Sequence, residues 1–69
     1  MENIPTKTME EIYHELFTDE MFTRNPLFIV EAIGYLTCLL QFLPAEKWII
    51  NERVCLLATL KELKKEGVL

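Results

Sequence analysis

Near the start of the chain, apolar residues recur every three or four positions and acidic residues fill the gaps between them. This spacing is typical of an amphipathic helix. The segment Thr8 to Glu11 has the form of a capping box, in which a hydroxyl and a glutamate each bind a free amide of the first turn. We therefore predict a first helix over about 8–22, preceded by a flexible arm over 1–7. Thr18 offers a second start within that helix.

Two further helices are predicted downstream. Asn25 can cap free amides, and Pro26 suits the first helical position because it has no amide hydrogen to satisfy. A second helix over about 26–43 follows, and Pro44 ends it. Pro44 can also open a third helix over about 45–66, where lysines fill the last turn and suit the negative end of the helix dipole.

No alternation of apolar and polar residues indicates a strand, and no repeat is present. The sequence predicts one all-α domain over residues 1–69, with three helices and a very apolar central helix. Thirteen of the seventeen residues from 27 to 43 are apolar. Because one neighbour cannot cover so wide an apolar arc, we expect a homodimeric helical bundle. The residues expected to contribute to self-association are Phe28, Ile29, Leu36 and Leu40.

A narrow stripe of polar or small residues interrupts the apolar surface of the second helix: Glu31, Gly34, Cys38 and Gln41. Two interpretations remain open. The stripe is either the part of the helix that faces solvent, or a close helix crossing that the two small residues permit.

A membrane span over residues 26–43 is the main alternative for this segment. The apolar run is shorter than the ~20 residues that a span requires, and Glu31 would be costly in hydrocarbon. Arg24 and Lys47, on opposite sides of the run, give no charge bias that would set an orientation. A helix of a water-exposed domain is therefore favoured.

Composition strengthens the expectation of self-association. The chain has 69 residues, of which 51% are hydrophobic, and a domain of this size encloses little interior. Net charge is −4, but residues 1–22 carry −5 and residues 47–69 carry +2. This asymmetry favours reciprocal packing of the two ends, within a chain or between chains. Nucleic-acid binding is disfavoured, because neutralising phosphates requires a basic surface.

The two cysteines, Cys38 and Cys55, lie within apolar helical patterns. Small secreted domains usually carry two to four disulfides, and two cysteines can form one at most. No secretory signal pattern opens the chain. We therefore expect a cytoplasmic protein with both thiols reduced.

Catalytic, metal and cofactor chemistry is not indicated. Glu11 and His14 have the i, i+3 spacing of di-iron carboxylate bundles, but such sites need two of these motifs, and the chain has one histidine. The glycines are too few for a phosphate-binding loop. No enzyme, metal or cofactor function is predicted.

By elimination, the sequence indicates a small adaptor, regulator or inhibitor that acts by protein–protein association. Small acidic helical chains of this kind suit accessory proteins of phages or mobile elements, which bind a host component. A small single-span membrane protein and a structural subunit of a larger complex are the alternatives. The surface expected to bind a foreign protein is the acidic face of the first helix: Glu10, Glu11, Glu15 and Asp19.

Overall fold

The computed structural model describes residues 8–68. It contains four α-helices: α1 (Met9–Leu16), α2 (Asp19–Arg24), α3 (Leu27–Phe42) and α4 (Lys47–Lys65). Helix accounts for 80% of the structure, and the described residues form no strand. The prediction of an all-α fold is confirmed.

The start of α1 has the predicted capping box. The Thr8 hydroxyl accepts a hydrogen bond of 3.2 Å from the Glu11 amide, and the Glu11 carboxylate accepts one of 2.9 Å from the Thr8 amide. Two of the free amides of the first turn are thereby satisfied. The helix begins where the local sequence places it.

The structure divides the predicted helix over 8–22 into α1 and α2. Phe17 is extended, with φ −128° and ψ 108°. Thr18 then caps α2, since its hydroxyl accepts a 3.2 Å hydrogen bond from the Met21 amide. The second capping residue therefore outweighs continuation of the helix, and the rings of Phe17 and Phe22 stack across the break, 6.3 Å apart.

α3 begins one residue later and ends one residue earlier than predicted, with Pro26 as the residue that precedes the first helical position. The Asn25 side-chain oxygen accepts a hydrogen bond of 3.1 Å from the Leu27 amide, as expected of a capping residue. The helix ends at Phe42, and the residues 43–46 connect it to α4. So short a connection between two helices is typical of an antiparallel hairpin.

Contacts between α3 and α4 confirm the antiparallel arrangement. Thr37, in the middle of α3, is hydrogen-bonded to Arg53 in the first half of α4. Ile29, near the start of α3, lines the same groove as Leu63 near the end of α4. α4 then closes at Gly67, whose φ of 83° permits the left-handed conformation of a Schellman motif.

The core lies between the α3–α4 hairpin and α1. Its buried residues come from α1, α3 and α4, and partly buried aromatic and aliphatic side chains surround them. No buried side-chain nitrogen or oxygen among the described residues lacks a hydrogen-bond partner. The buried residues are Tyr13, Ile29, Ala32, Leu36, Ile49 and Leu56.

Two of the four residues predicted for self-association lie in this core. Ile29 is 2% exposed and Leu36 is fully buried, so neither leaves surface for a second copy. Within one chain these two side chains pack into the core, with Ile29 beside residues of α2 and α4. Phe28 and Leu40 are half-buried and keep some accessible surface.

The polar stripe on α3 faces away from the rest of the chain. All four of its residues are exposed, and an added Cβ at Gly34 would meet no atom within 4 Å. The first of the two interpretations therefore describes the stripe within one chain: Glu31, Gly34, Cys38 and Gln41. Among residues 8–68, no helix, α3 included, has both the length and the apolar content needed to cross a membrane.

Candidate interaction surface

One side of the α3–α4 hairpin is covered by α1, and we call it the covered face. Tyr13 is its centre: it is fully buried, and its ring lies 6.1 Å from Tyr35 of α3 and 5.9 Å from Trp48 of α4. Its hydroxyl donates a hydrogen bond of 3.0 Å to the Glu52 carboxylate. One residue of a short helix thereby ties both long helices together.

The surroundings of Tyr13 keep its hydroxyl protonated. Burial of the side chain raises the pKa of this hydroxyl, and the hydrogen bond to Glu52, with the negative charges of Glu52 and Asp19, raises it further. The charged form would lose both water and the favourable hydrogen bond. This geometry holds a structural contact in place.

The opposite side of the hairpin is not covered, and we call it the open face. The Arg53 Nε donates a hydrogen bond of 2.9 Å to the Thr37 hydroxyl, which itself donates one of 2.7 Å to the Ile33 carbonyl oxygen. Thr37 lies about 160° around α3 from Tyr35, at ~100° per residue. The Arg53–Thr37 bond therefore marks the side that α1 does not reach.

Large apolar side chains are exposed on this open face. On α4, Ile50 is 40% exposed, Val54 is 58% exposed and Leu57 is 38% exposed. On α3, Val30 is 48% exposed. Exposed apolar residues are ordinary when scattered, but a contiguous group on one side of a hairpin is typical of an association surface.

The α4 residues of the open face follow a regular spacing. Ile50, Val54 and Leu57 are separated by four and three residues, and Lys61 follows after four more. This is the spacing of a seam between packed helices. We call these four residues the α4 seam. Glu46 lies one helical turn before it, at the start of α4.

Sequence reasoning missed this seam, although its signal is present. Apolar residues of α4 also recur at helical spacing along a neighbouring stripe, from which the structure buries Ile49 and Leu56. Val54 and Leu57 resemble edges of the same stripe, because the two stripes lie side by side on the helix. Only the position of α3 shows that the second stripe points elsewhere.

The four acidic residues predicted to bind a foreign protein are all exposed. Glu11 and Glu15 are four residues apart and share one face of α1, whereas Glu10 lies about 100° around the helix from Glu11. Glu10 is 3.8 Å from His14 on the next turn. Asp19 begins α2. Glu11 also stabilises the helix start through the predicted capping box.

A shallow groove of about 400 Å³ lies at the far end of the hairpin. Its only hydroxyl groups belong to Thr23 and Thr59, and each donates a hydrogen bond to a carbonyl of its own helix. The groove therefore offers an apolar surface with little to orient a polar ligand. Its lining residues are Phe22, Thr23, Pro26, Ile29, Thr59, Leu63 and Val68.

The described residues form no cluster that could hold a metal ion. His14 is paired with Glu10 rather than with Glu11, the residue whose spacing resembles a metal motif. Cys38 and Cys55 are free thiols on exposed positions. The feature that remains to be explained is the group of exposed apolar residues on the open face.

Comparison with protein-family models, with curated proteins and with solved structures finds no match to this chain.

Proposed function

We propose that this protein acts by protein–protein association and that its first partner is a second copy of itself. The observation that carries the proposal is the open face of the hairpin, where Val30, Ile50, Val54 and Leu57 remain exposed on one side. Two-fold dimers bury the same patch from both chains and are the commonest closed assembly. A pair of hairpins joined through this face would form a four-helix bundle with α1 on the outside.

The size of the chain supports the same conclusion. A single small domain has a thin stability margin, because it encloses only about 60% of the surface that its unfolded chain exposes. Fully burying one Val, Leu or Ile side chain contributes about 1.5–3 kcal/mol of stability. In a single chain the open-face residues are only partly buried, so they contribute only part of this free energy. Association would bury their remaining apolar surface.

Binding of a foreign protein is the second part of the proposal, in the role of an adaptor, regulator or inhibitor. The acidic face of α1 lies on the side of the hairpin away from the open face, so a dimer leaves it accessible. Exposed carboxylates such as Glu15 of α1 and Asp19 at the start of α2 would steer a basic partner and raise the association rate more than the affinity. We propose a cytoplasmic location, which suits the free thiols of Cys38 and Cys55.

Sedimentation equilibrium of the purified chain over a range of concentrations tests the proposal. We expect a mass of twice 8.1 kDa at high micromolar protein, falling towards 8.1 kDa on dilution, in buffer without detergent. A mass of 8.1 kDa throughout the range would contradict self-association. Dependence on detergent would favour a membrane protein, and insolubility cured only by coexpression would favour a subunit of a larger complex.

A further inference from the structure

We infer that two copies pack α4 against α4 in antiparallel orientation along the α4 seam, with Ile50 of each copy against Leu57 of the other. This inference rests on the proposed self-association and specifies its geometry. The occupant of the open face is then a second copy of this chain.

The spacing of the seam fits this pairing. In an antiparallel pair of helices, the position numbers of facing residues have a constant sum. If Ile50 faces Leu57 of the second copy, the two-fold axis passes between positions 53 and 54. Val54 then lies next to the axis in both copies, and the three apolar residues form one continuous contact with alternating spacings of four and three.

The charges at the two ends of the seam select the antiparallel orientation. The same register places Glu46 of one copy opposite Lys61 of the other, and the pair occurs twice by symmetry. A parallel pairing would instead place each residue beside its own copy, with like charges together at both ends. Both side chains are exposed, and neither forms an ion pair within the described part of its own chain.

Arg53 lies near the two-fold axis but points away from the seam. Its hydrogen bond to Thr37 directs the guanidinium towards α3 of the same chain. Ile50 and Leu57, one turn before and one turn after it, project between the two α4 helices. In the dimer, the Arg53 side chain of each copy therefore lies at the edge of the α4–α4 contact, on the side of its own α3.

Charge exchange at the ends of the seam tests the pairing. We would measure dimer dissociation constants at low salt for the wild type, for Glu46→Lys and for Lys61→Glu. Each variant creates two like-charge contacts in its own dimer, and we expect each to weaken self-association by about tenfold. Mixed together, the two variants regain opposite charges at both ends, so a heterodimer of near wild-type affinity should form. Glu62→Lys, about 100° around α4 from Lys61, makes the same change in net charge as Glu46→Lys and serves as the control.

The outcomes separate this geometry from the proposed function. A weakened dimer for both variants, with recovery on mixing and little effect of Glu62→Lys, supports the antiparallel seam. If the wild type dimerises but Glu46→Lys weakens the dimer no more than Glu62→Lys does, the antiparallel seam is overturned. Self-association itself would still hold. A wild type that remains a monomer would overturn both.

Disulfide trapping at the axis provides a second readout. In a background with Cys38→Ser and Cys55→Ser, Val54→Cys places one thiol per copy beside the two-fold axis. A disulfide requires the two Cα atoms to lie about 4.4–6.8 Å apart. Because position 54 of each copy lies beside the axis, we expect mild oxidation to yield a covalent dimer. Leu27→Cys, equally exposed but on α3, is the control and should not cross-link. Equal cross-linking at both positions would overturn the seam.

Discussion

The two sides of the α3–α4 hairpin differ in what contacts them. On the covered face, one buried residue of α1 meets two aromatic rings and a carboxylate, so the polar group that enters the core is satisfied. On the open face, a hydrogen bond between Arg53 and Thr37 joins the helices beside exposed aliphatic side chains. The same two helices therefore present a completed interface on one side and an incomplete one on the other.

This difference shows why apolar content alone does not locate a binding surface. α3 is the helix richest in apolar residues, and its buried residues pack into the core of its own chain. The exposed aliphatic seam lies on α4, whose overall composition is much more polar. What decides availability is the side on which α1 packs, and that side is set by Tyr13.

The largest effect is expected from a charge in the covered core. Leu36→Asp places an unpaired carboxylate at a fully buried position, which costs several kcal/mol and is comparable with the whole stability of a small domain. We expect loss of helical circular dichroism and of a cooperative melt. Cys38→Asp, two residues along the same helix but exposed, should retain both. A folded Leu36→Asp variant would show that this side of α3 is not the core.

A smaller effect is expected from removing the hydrogen bond that joins α1 to α4. Tyr13→Phe keeps the ring contacts but leaves Glu52 without its donor, so the free energy of unfolding should fall by about 1–2 kcal/mol. Urea denaturation measures this change. Tyr35→Phe is the matched control, since among the described residues Tyr35 contributes ring contacts only. Equal losses for both variants would mean that the Tyr13–Glu52 bond does not stabilise the covered face.

The raised pKa of Tyr13 predicts a loss of stability in alkali. Below pH ~10 the hydroxyl is protonated in both the folded and the unfolded chain, and the contribution is fully present. Above it the unfolded chain releases this proton first, so the free energy of unfolding should fall by up to ~1.4 kcal/mol per pH unit. Compared with wild type, Tyr13→Phe should show a shallower decline of the free energy of unfolding above pH ~10. Parallel curves for wild type and Tyr13→Phe would contradict the buried, protonated hydroxyl.

The smallest change in stability is expected from the capping box at the start of α1, the helix that packs on the covered face. Glu11→Ala removes the carboxylate that accepts from the Thr8 amide, and we expect a loss of about 0.5–1 kcal/mol. The neighbouring residue Glu10 lies near His14 on the surface of α1. Glu10→Ala should therefore lower the free energy of unfolding by only a few tenths of a kcal/mol. Thermal melts of the two variants check the difference. A larger loss for Glu10→Ala would show that the capping box contributes little.

Local features of the fold could be predicted from the sequence, because their causes lie within a few residues. The capping box at Thr8, the Asn25 cap and the glycine end of α4 at Gly67 all depend on short-range hydrogen bonds. The break at Thr18 was visible as a second capping residue. Its outcome depends on the packing of Phe17 and Phe22, which no local pattern determines.

The surfaces could be predicted only in part, because they depend on tertiary packing. Tyr13 and Glu52 are 39 residues apart, and their hydrogen bond has no local signal. The spacing of apolar residues in the first helix does not show that Tyr13 is buried completely, because its neighbours belong to α3 and α4. Ile29 was expected at an interface for the same reason: periodicity shows which residues are apolar but not which neighbour covers them.

The most direct test of the difference between the two faces is sedimentation of Val54→Asp beside Leu27→Asp, with circular dichroism of both. The two residues are 58% and 57% exposed, so a charge at either should leave the single chain folded. We predict that Val54→Asp sediments as a monomer with wild-type helicity, while Leu27→Asp remains dimeric. A dimeric Val54→Asp, or equal dissociation of both variants, would contradict the assignment of the open face as the association surface.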